Sequence, residues 1–153
     1  MADYDKVGLL AVRNGRVLLC RKKHTTALLI LPGGCREAGE SAPDCLTREL
    51  REELGEVRVE DLEYLGTYSD FAAGSQGKTV QIELYRGELA GEPAPHAEIR
   101  KLVWFGEDDD RSQLAPSLLH KILPDLVRRG VLSWQPGWAS DHPANQAAGG
   151  PKL

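Results

Sequence analysis

The chain has 153 residues, of which 41% are hydrophobic, and its formal net charge is -4. This length and apolar content suit one globular domain with a buried core, and the negative charge, with no basic cluster larger than residues 21–23, argues against long nucleic acid as a partner. No stretch approaches a membrane span or a secretory leader, and the three cysteines lack metal-ligand spacing, so we expect a cytoplasmic protein without membrane contact.

The first part of the chain predicts three strands. Residues 6–12 and 16–22 are apolar runs joined at Asn14-Gly15, a strong type I′ hairpin signal, so we expect these two strands to pair antiparallel. Residues 27–31 predict a short buried strand that Pro32 stops. The paired glycines Gly33 and Gly34 that follow predict a loop whose backbone can approach a metal-bound phosphate closely.

Residues 42–54 predict a helix with recognisable ends. Ser41 is a candidate N-cap, Pro43 is acceptable in the first turn, and Gly55 is expected to end the helix. Its leucines recur every four residues, which is typical of a buried stripe. The helix is therefore expected to pack on the body of the domain.

One face of this predicted helix is acidic. At 100° per residue, four glutamates fall within about 100° of one another beside the leucine stripe; they are Glu49, Glu52, Glu53 and Glu56. Arg48 can hold one carboxylate, and a hard divalent cation with oxygen ligands would neutralise the remaining charge. Taken alone, however, the run favours the simpler interpretation of a solvated acidic face.

The second part of the chain predicts a hairpin, a strand and a helix. Residues 63–71 and 78–89 have strand composition and flank a glycine-rich loop. Residues 100–105 predict a further strand, and residues 117–130 predict an amphipathic helix that Pro124 should kink or divide. This order of elements fits an α+β or α/β layered domain.

The last residues differ in composition from the rest. They are rich in Pro, Gly, Ala and Asn, which is typical of irregular chain. We therefore divide the protein into a single domain over residues 1–133 and an irregular or mobile tail over residues 134–153.

The helix and the residues before it share a specific spacing. Gly34 is followed after five residues by Glu40, and after seven more by the run RELREELG at residues 48–55. This resembles the Nudix box, G-x5-E-x7-R-E-U-x-E-E-x-G-U, in which U is aliphatic. Every position matches except the last, where the chain has Glu56 and an aliphatic residue, Val57, one step later. The chain thus resembles the Nudix hydrolases, and in particular their small MutT-like members.

The resemblance implies a fold and a reaction. Nudix domains carry a mixed β-sheet sandwiched between helices, with the box forming a loop-helix-loop motif. They typically hydrolyse a nucleoside diphosphate linked to another group, using Mg²⁺ or Mn²⁺, by attack of water on phosphorus. We therefore expect a metal-dependent enzyme with a small nucleotide substrate, acting as a monomer or homodimer.

The resemblance also implies roles for the box residues. The implied metal ligands are Glu49, Glu52, Glu53 and the carbonyl oxygen of Gly34, with Glu49 either a ligand or a support for one. Arg48 would orient Glu52, and Glu40 would brace the loop. Gly33 and Gly34 would lie against the substrate, whose negative charge must be bridged to the carboxylates by divalent ions.

Four residues outside the box complete the candidates. Glu98 precedes a predicted strand where many family members carry an acid that reaches the metals or the attacking water, but an exposed loop glutamate is an equal alternative. Arg21 can bind a phosphate with its planar fork or be an exposed strand-end arginine. Phe71 and Trp104 can each stack a base, although a place in the core is the preferred explanation of Trp104. The histidines show no paired spacing and are expected to be surface or structural; they are His24, His96, His120 and His142.

The range of expected substrates is narrowed by the absence of motifs that mark particular Nudix substrate classes. The sequence has neither the proline downstream of the box that marks many ADP-ribose pyrophosphatases nor the tyrosine associated with dinucleoside polyphosphate hydrolases, and it has no SQPWPFP motif of the NADH type. By family analogy, the expected substrate is a nucleoside triphosphate. Hydrolysis of ADP-ribose, a nucleotide sugar or a dinucleoside polyphosphate is the alternative, and a non-catalytic nucleotide sensor is a second one, disfavoured because the box acids are intact.

Overall fold

A computed structural model describes residues 2–74 and 76–140 of the chain. Its strands are β1 (Tyr4–Leu10), β2 (Val12–Arg13), β3 (Arg16–Lys22), β4 (Gly33–Cys35), β5 (Arg58–Phe71), β6 (Thr79–Ala90) and β7 (Ile99–Phe105). Its α-helices are α1 (Ala42–Leu54) and α2 (Leu123–Arg128), and α2 is preceded by a π-helical turn, Ser117–Ile122. None of these helices has the length and apolar character needed to cross a bilayer.

The strands form two sheets. A four-stranded sheet has the order β4-β1-β6-β5, in which β1 and β6 run parallel and the other pairs antiparallel, and a three-stranded antiparallel sheet has the order β2-β3-β7. Alternate residues of β1 and β3 enter opposite cores: Val7 and Leu18 pack with α1, whereas Leu10 and Leu19 pack with the C-terminal helices. The strands therefore lie between helices, which confirms the expected mixed α+β layered fold.

The predicted first hairpin is correct in its turn and wrong in its first strand. Asn14 and Gly15 both have positive φ, 52° and 74°, as a type I′ turn requires, and they join β2 to β3. However, residues 6–12 do not form one strand. They divide at Ala11, and the longer part, β1, pairs with β4 and β6 in the other sheet. An apolar run buried on both faces can fill either sheet, so its sequence could not show this division.

Two predictions around the glycines are also wrong. Residues 27–31 form isolated bridges, Cys20 to Ile30 and Leu29 to Leu114, because successive residues bond to different partners. The glycines that follow do not form a loop, since they belong to β4, which pairs with β1. A Cβ on Gly33, whose φ is +136°, would lie 2.0 Å from the carbonyl oxygen of Val7, so this close approach of two strands requires glycine.

The structure confirms the ends of α1. The Ser41 hydroxyl accepts a hydrogen bond from the amide of Asp44 at 3.2 Å, and Gly55, at φ 85°, ends the helix. The leucine stripe is buried as expected. The second predicted hairpin is confirmed too, because β5 and β6 pair antiparallel along nearly their whole length.

The C-terminal part of the described chain is more ordered than its composition indicates. Pro124 lies at the change from π-helix to α2, where its missing N–H breaks the helical ladder, so the predicted division is confirmed. Trp134 and Trp138 are buried in the core although the predicted tail begins at residue 134. Their rings lie 4.9 Å apart, and each donates its indole N–H to a backbone carbonyl. The ordered domain thus extends past residue 133, and residues 141–153 lie outside the described part.

Candidate active site

Glu53 is the buried member of the acidic face of α1. Its side chain points under β4, where one carboxylate oxygen accepts a hydrogen bond from the amide of Gly33 at 2.9 Å, and the residue is only 8% exposed. Burial raises the pKa of its carboxyl to about 7, and the charge of Glu49 acts in the same direction. Glu53 is therefore a buried carboxyl group whose ionised form a bound cation would stabilise.

Arg48 ties the helix to the preceding loop. Its guanidinium donates to both carboxylate oxygens of Glu40, at 2.7 and 2.8 Å, to Glu49 at 2.7 Å and to the carbonyl oxygen of Cys35 at 3.2 Å. These bonds hold the pKa of Glu40 down to about 2. Glu52, which the sequence assigned to Arg48, is 3.8 Å away. Arg48 is therefore placed to orient Glu49 more directly than Glu52.

Gly34 lies directly against the acidic face. A Cβ at this position would be 2.3 Å from the carboxyl carbon of Glu49, so only glycine leaves room for that side chain. The carbonyl oxygen of Gly34 faces α1, where it lies 3.7 Å from the Cys45 sulfur. The backbone of β4 and two carboxylates of α1 thus converge on one side of the strand.

The donor atoms suit a hard divalent cation. Carboxylate oxygens and a backbone carbonyl are the ligands that Mg²⁺ and Mn²⁺ prefer. Glu52 projects from the same helix face with its side chain 57% exposed, so it can turn towards such an ion. Across residues 2–74 and 76–140, no three acidic, histidine or cysteine side chains already form a ligand set. The residues therefore fit a cation that would draw the carboxylates together.

A pocket of about 250 Å³ opens beside Gly33 and Gly34. Its floor is the face of the four-stranded sheet, and its walls come from the loops after β3 and β5 and from the π-helical turn. Most of the lining is apolar, including Ile82 and Leu118, but two lysines, Lys6 and Lys22, also line it. An apolar pocket that meets an acidic, cation-suited cluster can hold a molecule with an apolar and a phosphorylated end.

Two predicted substrate-binding residues lie elsewhere. The Arg21 guanidinium donates to the carbonyl oxygen of Ala27 and, at 2.9 Å, to the side chain of Gln113, so it braces a loop and does not line the pocket. Phe71 is 60% exposed at the end of β5 and is not a lining residue, although the next two residues are. Neighbouring strand residues face opposite ways, so Lys22 and not Arg21 lines this pocket.

Glu98 lies in an exposed turn that is anchored near the end of α1. The amide of His96 donates to the carbonyl oxygen of Glu53 at 3.0 Å. The amide of Lys23 donates to the carbonyl oxygen of Glu98 at 2.9 Å. The His96 ring packs so closely on Gly55 that a Cβ there would be 2.5 Å from it. This anchoring holds Glu98 near the acidic face, while its own side chain makes no hydrogen bond or ion pair with the described residues.

The remaining residues singled out in the sequence have structural surroundings. Trp104 is partly buried and packs against the core of α1, with the Arg13 guanidinium 5.3 Å from its ring. His24 is exposed, and His120 contacts Asp70 at 3.1 Å. His142 lies outside the described residues. Cys20 and Cys45 are buried and Cys35 is exposed beside Gly34.

The two pocket lysines, Lys6 and Lys22, are not marked by any motif in the sequence. Tyr4, Lys6 and Gly8 alternate along β1 and share the face that lines the pocket. That alternation could have identified Lys6 as a residue with its side chain in the layer between sheet and helices. What the sequence could not show is which face of β1 lines the pocket and which packs on α1.

Comparisons with known proteins agree with this geometry. A family model described as NUDIX domain matches residues 4–126. The NAD-capped RNA hydrolase NudC of Pseudomonas putida is 33% identical over 102 residues, which are 66% of this chain and 36% of that protein. The chain thus spans only about a third of the length of the curated relatives it matches.

The chain is also similar to solved structures of Nudix hydrolases. The crystal structure of a MutT NUDIX hydrolase from Burkholderia pseudomallei has a TM-score of 0.61 and 28% identity, covering 70% of this chain and 85% of that one. The MutT protein of Methanosarcina mazei, at 21% identity, shares the fold with a TM-score of 0.61 and covers 75% of this chain and 86% of that one. With its box spacing, its fold and a family match over residues 4–126, the chain belongs to the Nudix hydrolase family.

Proposed function

We propose that the protein is a divalent-metal-dependent hydrolase of the pyrophosphate linkage in a nucleoside diphosphate derivative, with a nucleoside triphosphate as the first candidate substrate. The observation that carries this proposal is the buried Glu53 carboxylate, which lies beside Glu49 and Gly34 at the edge of an open apolar pocket. A structural or interaction domain would have no reason to bury an acid at such a place.

Each box residue has a defined task in this proposal. Glu49, Glu52, Glu53 and the carbonyl oxygen of Gly34 would hold Mg²⁺ or Mn²⁺, and Arg48 keeps the Glu49 carboxylate in position while Glu40 fixes Arg48. A divalent ion supplies charge neutralisation at the phosphoryl group and acidifies the attacking water. Glu98 is a candidate acceptor for the proton of that water. The pocket would hold the nucleoside with its phosphates towards α1.

A dinucleotide such as NAD is a second candidate substrate. It is favoured by the 33% identity to NudC, which is named as a hydrolase of NAD-capped RNA. Two observations rank it lower: the chain lacks the SQPWPFP motif, and it matches only 36% of the NudC length. ADP-ribose, nucleotide sugars and dinucleoside polyphosphates remain further candidates of the same reaction class. The intact box acids favour all of these over a non-catalytic nucleotide sensor.

A substrate panel tests the proposal. The purified chain is incubated with ordinary and oxidised nucleoside triphosphates, NADH, ADP-ribose, a nucleotide sugar and a dinucleoside polyphosphate, each with Mg²⁺, Mn²⁺ or EDTA, and the products are separated by chromatography. We expect hydrolysis with either metal and none in EDTA. Tight nucleotide binding without turnover of any compound would instead support the sensor.

The buried Glu53 predicts an unusual pH dependence of stability in metal-free protein. Because its pKa is raised from 4.5 to about 7, the folded protein binds more protons than the unfolded chain between these values, so its stability falls as pH rises through that window. Relative to Glu53→Gln, the wild type should lose about 2 kcal/mol of unfolding free energy between pH 5 and pH 8.

Urea unfolding of the wild type and of Glu53→Gln, both in EDTA, measures this difference in unfolding free energy. The contributions of all other titratable groups cancel, because these groups are present in both proteins. Adding Mg²⁺ at pH 8 should stabilise the wild type more than Glu53→Gln, since a ligand that binds only the native state stabilises it by mass action. Parallel pH profiles would show that Glu53 ionises normally, and equal Mg²⁺ effects would remove it from the proposed ligands.

The Glu98→Gln variant tests whether Glu98 accepts the proton of the attacking water or is an exposed glutamate with no role in the reaction. If Glu98 receives the proton of the attacking water, the variant should lower kcat by about a hundredfold with little change in substrate affinity. Glu92→Gln is the matched control, since Glu92 is also exposed in the segment before β7 and its side chain pairs with Arg13. Steady-state kinetics decide, and a kcat for Glu98→Gln within threefold of wild type would leave only the box glutamates as candidate bases.

A further inference from the structure

Lys6 occupies the middle of the pocket floor. In the register of the sheet it lies between Cys35 of β4 and Ile82 of β6, and side chains that are directly opposite on neighbouring strands share a face. All three residues line the pocket. The ammonium of Lys6 is therefore carried on a rigid strand and directed into the pocket.

Within residues 2–74 and 76–140 the Lys6 ammonium has no directly bonded counter-charge, although the Glu53 carboxylate attracts it through space. The ammonium lies 5.9 Å from the centre of the Tyr4 ring. Its nearest neighbours in the register are a thiol and an aliphatic side chain, and a second cation, Lys22, lines the same pocket. A half-buried ammonium in such a place is costly unless an anion binds beside it.

The position of Lys6 identifies which part of a nucleotide that anion is. Valine, isoleucine and leucine side chains line the inner pocket, whereas Gly33 and Gly34 lead from it to the acidic face of α1. Lys6 lies on the strand next to these glycines, opposite Cys35 and adjacent to Val7, the residue that pairs with Gly34. A nucleoside in the apolar end would therefore present its own attached phosphate to Lys6, before the outer phosphates reach the cation-suited cluster.

We propose that Lys6 is a specificity-determining residue that binds the phosphate attached to the nucleoside and so makes the pocket select nucleotides over nucleosides. This inference rests on the proposed function for the orientation of the substrate. It assigns to a residue outside the Nudix box a task that the glutamates cannot perform, because they repel phosphate in the absence of a cation.

The test measures binding without catalysis. Isothermal titration in EDTA at low salt compares a nucleoside with its monophosphate, for the purine and pyrimidine pairs, on wild type, Lys6→Met, Lys6→Arg and Lys23→Met. Methionine keeps most of the lysine volume and removes the charge. Lys23 is the matched control because it is exposed and does not line the pocket. Circular dichroism and melting temperature establish that each variant is folded, and Lys6→Gln replaces Lys6→Met if the latter is not.

We expect Lys6→Met to weaken monophosphate binding by about tenfold, as for a lost charge-assisted hydrogen bond, and to change nucleoside binding by less than twofold. Lys6→Arg and Lys23→Met should stay within threefold of wild type. Equal losses for nucleoside and monophosphate would mean that Lys6 contacts the base, and this would overturn the proposal. A wild type that does not prefer monophosphates, or binds neither ligand, would overturn it too.

Kinetics distinguish this inference from the proposed function. On a substrate found in the panel, Lys6→Met should raise KM by about tenfold and leave kcat nearly unchanged. Hydrolysis with unaltered constants in Lys6→Met would refute the assignment of Lys6 alone. Conversely, Lys6-dependent binding of monophosphates by a protein that hydrolyses nothing would refute the reaction and uphold Lys6.

Discussion

Glu52→Gln is expected to lower kcat by about a thousandfold while the fold and the melting temperature in EDTA stay close to wild type. Glu52 is the box acid whose side chain is open to solvent, so its neutral isostere costs no packing but removes an anionic ligand from the proposed cation. Several kcal/mol of transition-state stabilisation correspond to such a loss. Steady-state kinetics with Mg²⁺, together with circular dichroism, measure both quantities.

Glu56→Gln is the matched control for this variant. Glu56 is likewise exposed, but it lies just beyond the end of α1, at the position where the box expects an aliphatic residue. Its replacement should therefore leave kcat within threefold of wild type. Equal activity of Glu52→Gln and wild type, or full wild-type activity in EDTA, would contradict the metal-dependent reaction.

Arg48→Met is expected to reduce kcat/KM by at least a hundredfold and, unlike Glu52→Gln, to lower the melting temperature by roughly 5 °C. Its guanidinium is the shared partner of Glu40 and Glu49, both of which are largely buried, and removing it leaves two adjacent carboxylates without their counter-charge. Glu49 would then lose its fixed position against Gly34. Thermal unfolding and kinetics on the same preparation test both parts.

Arg51→Met provides the comparison on the same helix. Arg51 is exposed, and its side chain makes no hydrogen bond or ion pair with the described residues. We expect little change in either measurement. A stable and fully active Arg48→Met protein would show that the network around Glu40 is not needed to position the site.

The glycines illustrate why the candidate site was only partly predictable. Their spacing to Glu40 and to the helix identified the box, but the sequence predicted a loop where the structure has strand β4. Glycine is uninformative here because it is required both in flexible loops and where two strands approach closely. Gly33 is needed for its contact with Val7, and Gly34 for its contact with Glu49, and both contacts involve residues distant in the chain.

The residues of the pocket show the same limit. The chemistry of Arg21 suits a phosphate ligand, yet the fold directs this side chain to Gln113, whereas Lys6 lines the pocket. Which of the two side chains reaches the pocket depends on which face of its strand it occupies. A shift of one residue in strand register reverses that face, and register is set by partners that the sequence does not reveal.

By itself the sequence determined the features that depend on neighbours within a few residues. These are the caps of α1, its acidic face and leucine stripe, the type I′ turn at Asn14-Gly15 and the break at Pro124. Hydrogen bonds and backbone angles over one helical turn or one tight turn fix them, so the local residues suffice.

Only the tertiary structure decided the parallel pairing of β1 with β6, the burial of Glu53 under Gly33 and the packing of Trp134 and Trp138 in the core. Each of these joins residues far apart in the chain, where many partners have similar local preferences. Burial of apolar surface and satisfaction of buried polar groups over the whole domain select among them. The box glutamates could therefore be identified from the sequence, while the pocket that would hold their substrate could not.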